Sequence, residues 1–159
     1  MSKSFPYGIK GPSDIPETAD RILDEFFEIT SVLKVRACLA YGLCLGFVRD
    51  KEYIVGDNDL DIVVVTGGLN GMPELHRELL EHGFAMRTEY PPPGANTHYI
   101  KDNILLDIFK RAGGKYYEEF SQVEHSGKKY PTPHPVEEYL ESCYTNWAVR
   151  EEQDGKVGL

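Results

Sequence analysis

Three aspartates open a strand-like segment. In "VGDNDLDIVVV", Val55 to Val65, Asp57, Asp59 and Asp61 alternate with Asn58 and Leu60. In extended chain, alternate side chains share one face. At about 4 Å and an effective dielectric near 20, each like-charged pair costs on the order of 4 kcal/mol, so something positive should offset the crowding. Another carboxylate, Asp107, lies inside the apolar run "ILLDIF", where a lone acid is costly to bury without a partner. If the two strands are neighbours, Asp59, Asp61 and Asp107 converge. Such a set is the protein half of a Mg²⁺ or Mn²⁺ site, which uses few carboxylates and keeps room for water and phosphate oxygens. A two-ion version clamps the attacking and leaving oxygens of an in-line displacement. From "DNDLD" alone, the aspartates could equally be solvated residues at a strand start. An EF-hand is excluded, since Ile62 stands where glycine is required and Gly68 where the closing glutamate belongs.

The segment before the aspartates offers anion chemistry. Gly42 would let the backbone approach a phosphate closely, and the following helix would aim its free N–H groups and positive end at the anion. Taken alone, it reads first as a plain helix-start glycine. Gly46, one turn later, could serve close helix packing. Arg49 ends that short helix and can contact phosphate or pair with Asp57 or Asp59; both readings stay open. Lys110 and Arg111 follow the Asp107 segment and could neutralise a departing phosphate, although Lys110 alternates to the opposite face if the strand continues that far. His98, on an adjacent strand, is either a hydrogen-bonding or acid-base group or a satisfied strand histidine. His76, His82, His125 and His134 lack metal-ligand spacing. Trp147, Tyr116, Tyr117 and Tyr130 could stack on a base or sugar, or complete the core.

The elements that must position these residues follow from periodicity. Ile22, Phe26, Ile29 and Leu33 recur at helical spacing, with Leu23 and Phe27 alongside, Ser13 or Asp14 as cap and Pro16 in the first turn. "VRACLAYG" reads as a short strand running into Gly42, and "LCLGFVRD" as a short helix. "DLDIVVV", with its β-branched run, is the clearest strand, and "TGGLNG" is a loop. A helix from about Pro73 to His82 turns Leu75, Leu79 and Leu80 inward and stops at Gly83. "FAMRTEY" is a strand and "PPPGAN" a loop, while "THYIKDNILLDIFK" makes two strands around a turn at Asp102 and Asn103. "RAGGKYYEEF" and "HSGKKYPTPHP" look irregular, and a last helix runs from about Pro135 to Tyr144. The order predicts an α/β or α+β layer, with helices on a mixed sheet.

At 159 residues the chain suits one domain, 1–159, with 1–13 a loose arm and 150–159 a loose tail. A formal charge of −9 argues against a nonspecific nucleic-acid binder, which needs a basic footprint. No apolar run approaches a membrane span and the N-terminus has no apolar signal region, so a cytoplasmic protein is expected. Cys38, Cys44 and Cys143 lack CxxC or zinc spacing and read as buried thiols.

"GLCLGFVRDKEYIVGDNDLDI", Gly42 to Ile62, resembles the LicD/fukutin family of phosphotransferases. That family's signature runs Gly-Thr-Leu-Leu-Gly, two residues, Arg, then Phe-Ile-Pro-Trp-Asp-Asp-Asp-Ile-Asp. Gly42, Leu45, Gly46, Arg49, the aromatic Tyr53, Ile54, Asp57, Asp59 and Asp61 fall on pattern without a gap. "YPTPHPVEEYLESCYTNW" is similar to the family's closing helix at Pro135, Tyr139, Leu140, Tyr144 and Trp147. The two segments cover about a quarter of the chain. The resemblance implies a nucleotidyltransferase, polymerase-β-like fold: a glycine-containing helix start that holds phosphate, a paired Asp-x-Asp strand that binds metal, and a further strand that supplies the last carboxylate, a place Asp107 fits. It also implies transfer of a phospho-substituent, phosphocholine- or polyol-phosphate-like, from a CDP-linked donor to a sugar or glycan hydroxyl. Leu43 replaces the signature threonine, Val55-Gly56 replaces Pro-Trp and Asn58 replaces the middle aspartate.

The reading is therefore a Mg²⁺- or Mn²⁺-dependent transferase. Asp59, Asp61 and Asp107 are its metal ligands and catalytic residues, with Asp107 also placed to accept the acceptor hydroxyl's proton. Gly42, Leu43, Arg49, Asp57, His98 and Lys110 are its substrate-binding candidates. One rival on the same fold transfers NMP from an NTP, and another is a noncatalytic nucleotide-binding or regulatory subunit.

Overall fold

The computed structural model describes residues 10–67, 71–87 and 96–149. The first helix, α1 (Pro16–Leu33), buries Ile22, Leu23, Phe26 and Ile29 at the expected spacing. Its start differs from expectation. Ile15 occupies the cap position without a side-chain bond, because the Asp14 carboxylate instead accepts the Gly11 N–H at 3.1 Å. Pro16, which has no N–H to satisfy, begins the helix. Gly11 and Pro12, just before this helix, are buried.

Five strands form a mixed sheet in the order β1 (Arg36–Leu39), β2 (Asp59–Val65), β5 (Ile104–Arg111), β4 (Thr97–Lys101) and β3 (Ala85–Met86). β2 runs parallel to β5, and the other pairings are antiparallel. All seven residues of β2 are buried, as its unbroken apolar run requires of a strand covered on both faces. Asp102 and Asn103, both at positive φ, join β4 to β5 in the tight two-residue turn expected of them. With α2 (Tyr41–Asp50), α3 (Met72–Glu81) and α4 (Val136–Cys143), the architecture is the predicted mixed α/β layer.

Three expectations change. Leu80 is 46% exposed; Leu75 and Leu79 bury the inner face of α3 without it. Cys143 is half-buried, whereas Cys38 and Cys44 are buried, and burial pushes the Cys38 thiol up to about 12. The segments read as irregular, with the unassigned residues 121–124 between them, contain an antiparallel hairpin, β6 (Phe120–His125) with β7 (Lys128–Pro133). Its inward positions include the polar His125 and Thr132, and two prolines fall in β7, so no apolar alternation announces it. The hairpin packs beside β1 and α2, with His125 stacked on Phe47 at 3.9 Å. Of the "FAMRTEY" strand only β3 is regular; its last residues, the "PPPGAN" loop, the middle of "TGGLNG" and the C-terminal tail lie outside the described residues.

Candidate metal centre

The sheet brings the predicted carboxylates together. Asp61 is the register partner of Asp107 on the neighbouring parallel strand, and Asp59 lies opposite Leu105. Register partners on adjacent strands share a face and lie roughly 4.8 Å apart. Asp59, Asp61 and Asp107 are 4%, 7% and 7% exposed, so three acids meet on one buried face. Such a density of negative charge is unstable without a compensating group.

Asp57 arrives by a turn. Tyr53 and Ile54 anchor the loop in the core, the Asp57 N–H bonds the Ile54 carbonyl at 3.2 Å, and Gly56 adopts φ +88°. That is the third position of a type II turn, where glycine is favoured. Val55-Gly56, where the family signature has Pro-Trp, thus forms the corner that presents Asp57. One oxygen from each of Asp57, Asp59 and Asp61 lies within 4.8 Å of the others. The tight cluster therefore contains Asp57, read from the sequence as substrate-binding. Asp107 flanks it, with Oδ1 3.1 Å from His98 Nε2. This contact with Asp107 raises the His98 pKa, against a smaller opposing effect of burial, and the charges of Asp107 and Asp59 add to the rise.

The N-terminus of α2 supplies positive potential. A β-carbon on Gly42 would collide with Asp57 Oδ2 and lie 3.6 Å from Asp61 Oδ2. The first turn of α2 therefore lies directly against the acids, where its unpaired N–H groups and dipole favour negative charge. Tyr41, the first residue of α2, holds φ +43°, and its N–H donates to the Tyr139 hydroxyl at 2.9 Å. The last helix thereby caps the helix at the site.

The other candidates separate. Gly46 is a packing glycine, since a β-carbon there would lie 2.5 Å from the Glu52 carbonyl oxygen. Leu43 is 2% exposed in the core. The Arg49 side chain is largely buried at the end of α2, and among its interactions it forks onto the adjacent Asp50 at 3.0 and 2.7 Å; its place relative to the acids stays as the sequence left it. Lys110 is exposed and alternates away from Asp107, whereas Arg111 shares the Asp107 face and donates to the Tyr41 hydroxyl at 3.1 Å. Two residues gain importance that their types alone did not signal. Tyr41 links Gly42 to Arg111. Tyr144 has a pKa raised first by burial and then by the nearby charges of Asp61, Cys143 and Asp57.

The cluster suits a hard divalent cation. Its donors are all carboxylate oxygens, the preference of Mg²⁺ and Mn²⁺. One oxygen from each of three acids falls within 4.8 Å of the others. Asp57, Asp59 and Asp61 would hold the ion, with Asp107 beside them. Among the described residues, no helix is long and apolar enough to cross a membrane. No protein-family profile matches the sequence, and no curated protein does. A similar solved structure is "tRNA-processing enzyme (apo form I)", 17% identical with a TM-score of 0.46, covering 82% of this chain and 34% of that one. The chain thus spans about a third of that protein's length.

Proposed function

We propose that the chain is a Mg²⁺- or Mn²⁺-dependent phosphotransferase of the LicD kind, on a nucleotidyltransferase-like fold. It would move a phospho-substituent from a CDP-linked donor to a sugar or glycan hydroxyl. The observation that carries this reading is the pairing of Asp61 with Asp107 across parallel strands, beside a cluster of Asp57, Asp59 and Asp61. When bound, the metal neutralises charge on the transferring phosphoryl group, which is the main demand of this chemistry. The acceptor oxygen bonds to phosphorus, the bond to the CMP oxygen breaks, and the hydroxyl proton passes to the Asp107 carboxylate. His98, 3.1 Å from Asp107 Oδ1, orients that carboxylate. Gly42 keeps Asp57 against the α2 terminus, so the acids are held in place before substrate arrives.

Binding of CDP-choline and of CTP, each with Mg²⁺ and with EDTA, tests the reading. Mg²⁺ should strengthen binding of at least one, and Asp61→Asn should abolish that gain. Metal-dependent binding that survives in Asp61→Asn would refute the site. Product analysis separates donors: CMP release marks the CDP-linked reaction, and pyrophosphate release marks NMP transfer from an NTP.

A further inference from the structure

We infer that Arg111 and the Tyr41 hydroxyl form an anion subsite for a phosphate group of the substrate other than the one held at the metal. The inference rests on the phosphotransferase reading, which supplies a phosphate-bearing substrate, and extends it to residues outside the acid cluster.

Three observations converge. First, Arg111 is on the active face: Asp107, Phe109 and Arg111 alternate along β5 in register with Asp61, Val63 and Val65. Its α-carbon lies about 13 Å beyond that of Asp107, at roughly 3.3 Å per residue. The strand is fixed there, since its last carbonyl accepts the Thr66 N–H at 2.7 Å. Second, the guanidinium is not neutralised. Within the described residues its hydrogen bonds run to the Lys110 carbonyl at 2.9 Å and the Tyr41 hydroxyl at 3.1 Å, both neutral oxygens. In a chain with 26 acidic and 17 basic residues, an arginine on the same strand face as a carboxylate cluster that pairs with none of the described acids keeps its charge for another anion. Guanidinium has five donors in a planar fork, which suits phosphate. Third, Tyr41 adopts φ +43°, an uncommon conformation for a bulky residue and one that concentrates at functional positions. Its ring packs on Phe109 at 4.7 Å. This brings its hydroxyl to Arg111 while its backbone abuts Gly42, so the two subsites are joined through one residue. Arg111, rather than the outward-facing Lys110, is then the phosphate-directed base after Asp107.

The test uses inorganic pyrophosphate as probe, in EDTA, so that the acids have no metal to contribute. Calorimetric or NMR titration of the wild-type chain should show millimolar binding. Arg111→Gln should weaken it by about tenfold or more, the range expected when a charge-assisted bond is lost. Tyr41→Phe, which keeps the ring packing, should weaken it less. Arg21→Gln removes one positive charge on α1, where Arg21 pairs with Asp102, and should leave binding unchanged. Melting curves establish that each variant is folded, and Arg111→Lys, which keeps the charge without the fork, should bind with intermediate affinity. Wild-type affinity in Arg111→Gln, equal losses in Arg111→Gln and Arg21→Gln, or no wild-type binding of pyrophosphate would overturn the inference. CMP and glycerol phosphate as further arms identify whether the phosphate belongs to the donor nucleotide or to a phosphorylated acceptor. Failure here is distinct from failure of the metal site, because that reading stands or falls on Mg²⁺-dependent binding in Asp61→Asn.

Discussion

Gly42 has no room for a β-carbon, because one built there would collide with Oδ2 of Asp57. A glycine read from the sequence as a cradle for substrate phosphate thus first accommodates the protein's own carboxylate. The first turn of α2 favours the negative charge of the acid cluster, and under the proposed function a substrate phosphate would approach beside Asp57 rather than in its place.

Gly42→Ala should therefore act on metal binding more than on folding. Crowding costs about 1–3 kcal/mol, while alanine's better helix propensity returns up to about 1 kcal/mol. Displacing Asp57 should lower Mn²⁺ affinity by about tenfold, equivalent to losing about 1.4 kcal/mol. Mn²⁺ titration followed by electron paramagnetic resonance measures it; unchanged affinity would remove Asp57 from the ligand set.

Asp107→Asn should separate stability from activity. The substitution relieves repulsion from Asp59 and Asp61 but loses a charged partner of His98, so the melting temperature in EDTA should change by only a few degrees, corresponding to about 1 kcal/mol or less. Turnover with Mg²⁺ should fall by orders of magnitude. A clearly destabilised variant with near-normal turnover would make Asp107 a structural residue.

Tyr139→Phe tests the link between α4 and α2. Tyr139 is 2% exposed and Phe preserves its packing, so the substitution isolates the lost acceptor for the Tyr41 N–H. About 1 kcal/mol of destabilisation is expected in urea unfolding. A loss near zero would mean that water takes over the cap.

Acid stability tests a clip on the opposite side of the sheet. Burial alone would raise the pKa of Glu25, but hydrogen bonds from Lys101 and His82, together with their charges, lower it below 4.5. The Lys101 ammonium lies 2.5 Å from Glu25 Oε1 and also donates to the His82 carbonyl, joining α1, β4 and the end of α3. A lowered folded-state pKa contributes stability that is present above the unfolded value and lost as pH falls through the folded one. Lys101→Met should then melt lower than wild type at neutral pH, by no more than about 1 kcal/mol for a solvent-screened pair. The gap should narrow below pH 4.5. A gap independent of pH would assign the effect to lost packing instead.

Residue types and their order were enough to determine the strand of acids, the helix before it and the mixed α/β class. Those features rest on local periodicity: two residues per turn of a strand set Asp59 and Asp61 on one face, and an unbroken apolar run made β2 a buried strand. The partnership of Asp61 with Asp107 depended on β5 pairing parallel to β2, a long-range register that no local pattern encodes. The hairpin of β6 and β7 has no clean apolar alternation, because beside Val123 and Tyr130 it buries the polar His125 and Thr132; Thr132 bonds the Pro133 carbonyl of its own strand, but His125 needs partners from elsewhere. His125 finds Asp20 on α1 and the Lys51 carbonyl. Tertiary structure likewise chose Asp57 for the tight cluster and sent Leu43 into the core. In each case the deciding quantity was the direction of a side chain relative to a neighbouring element, which exists only once the elements have packed.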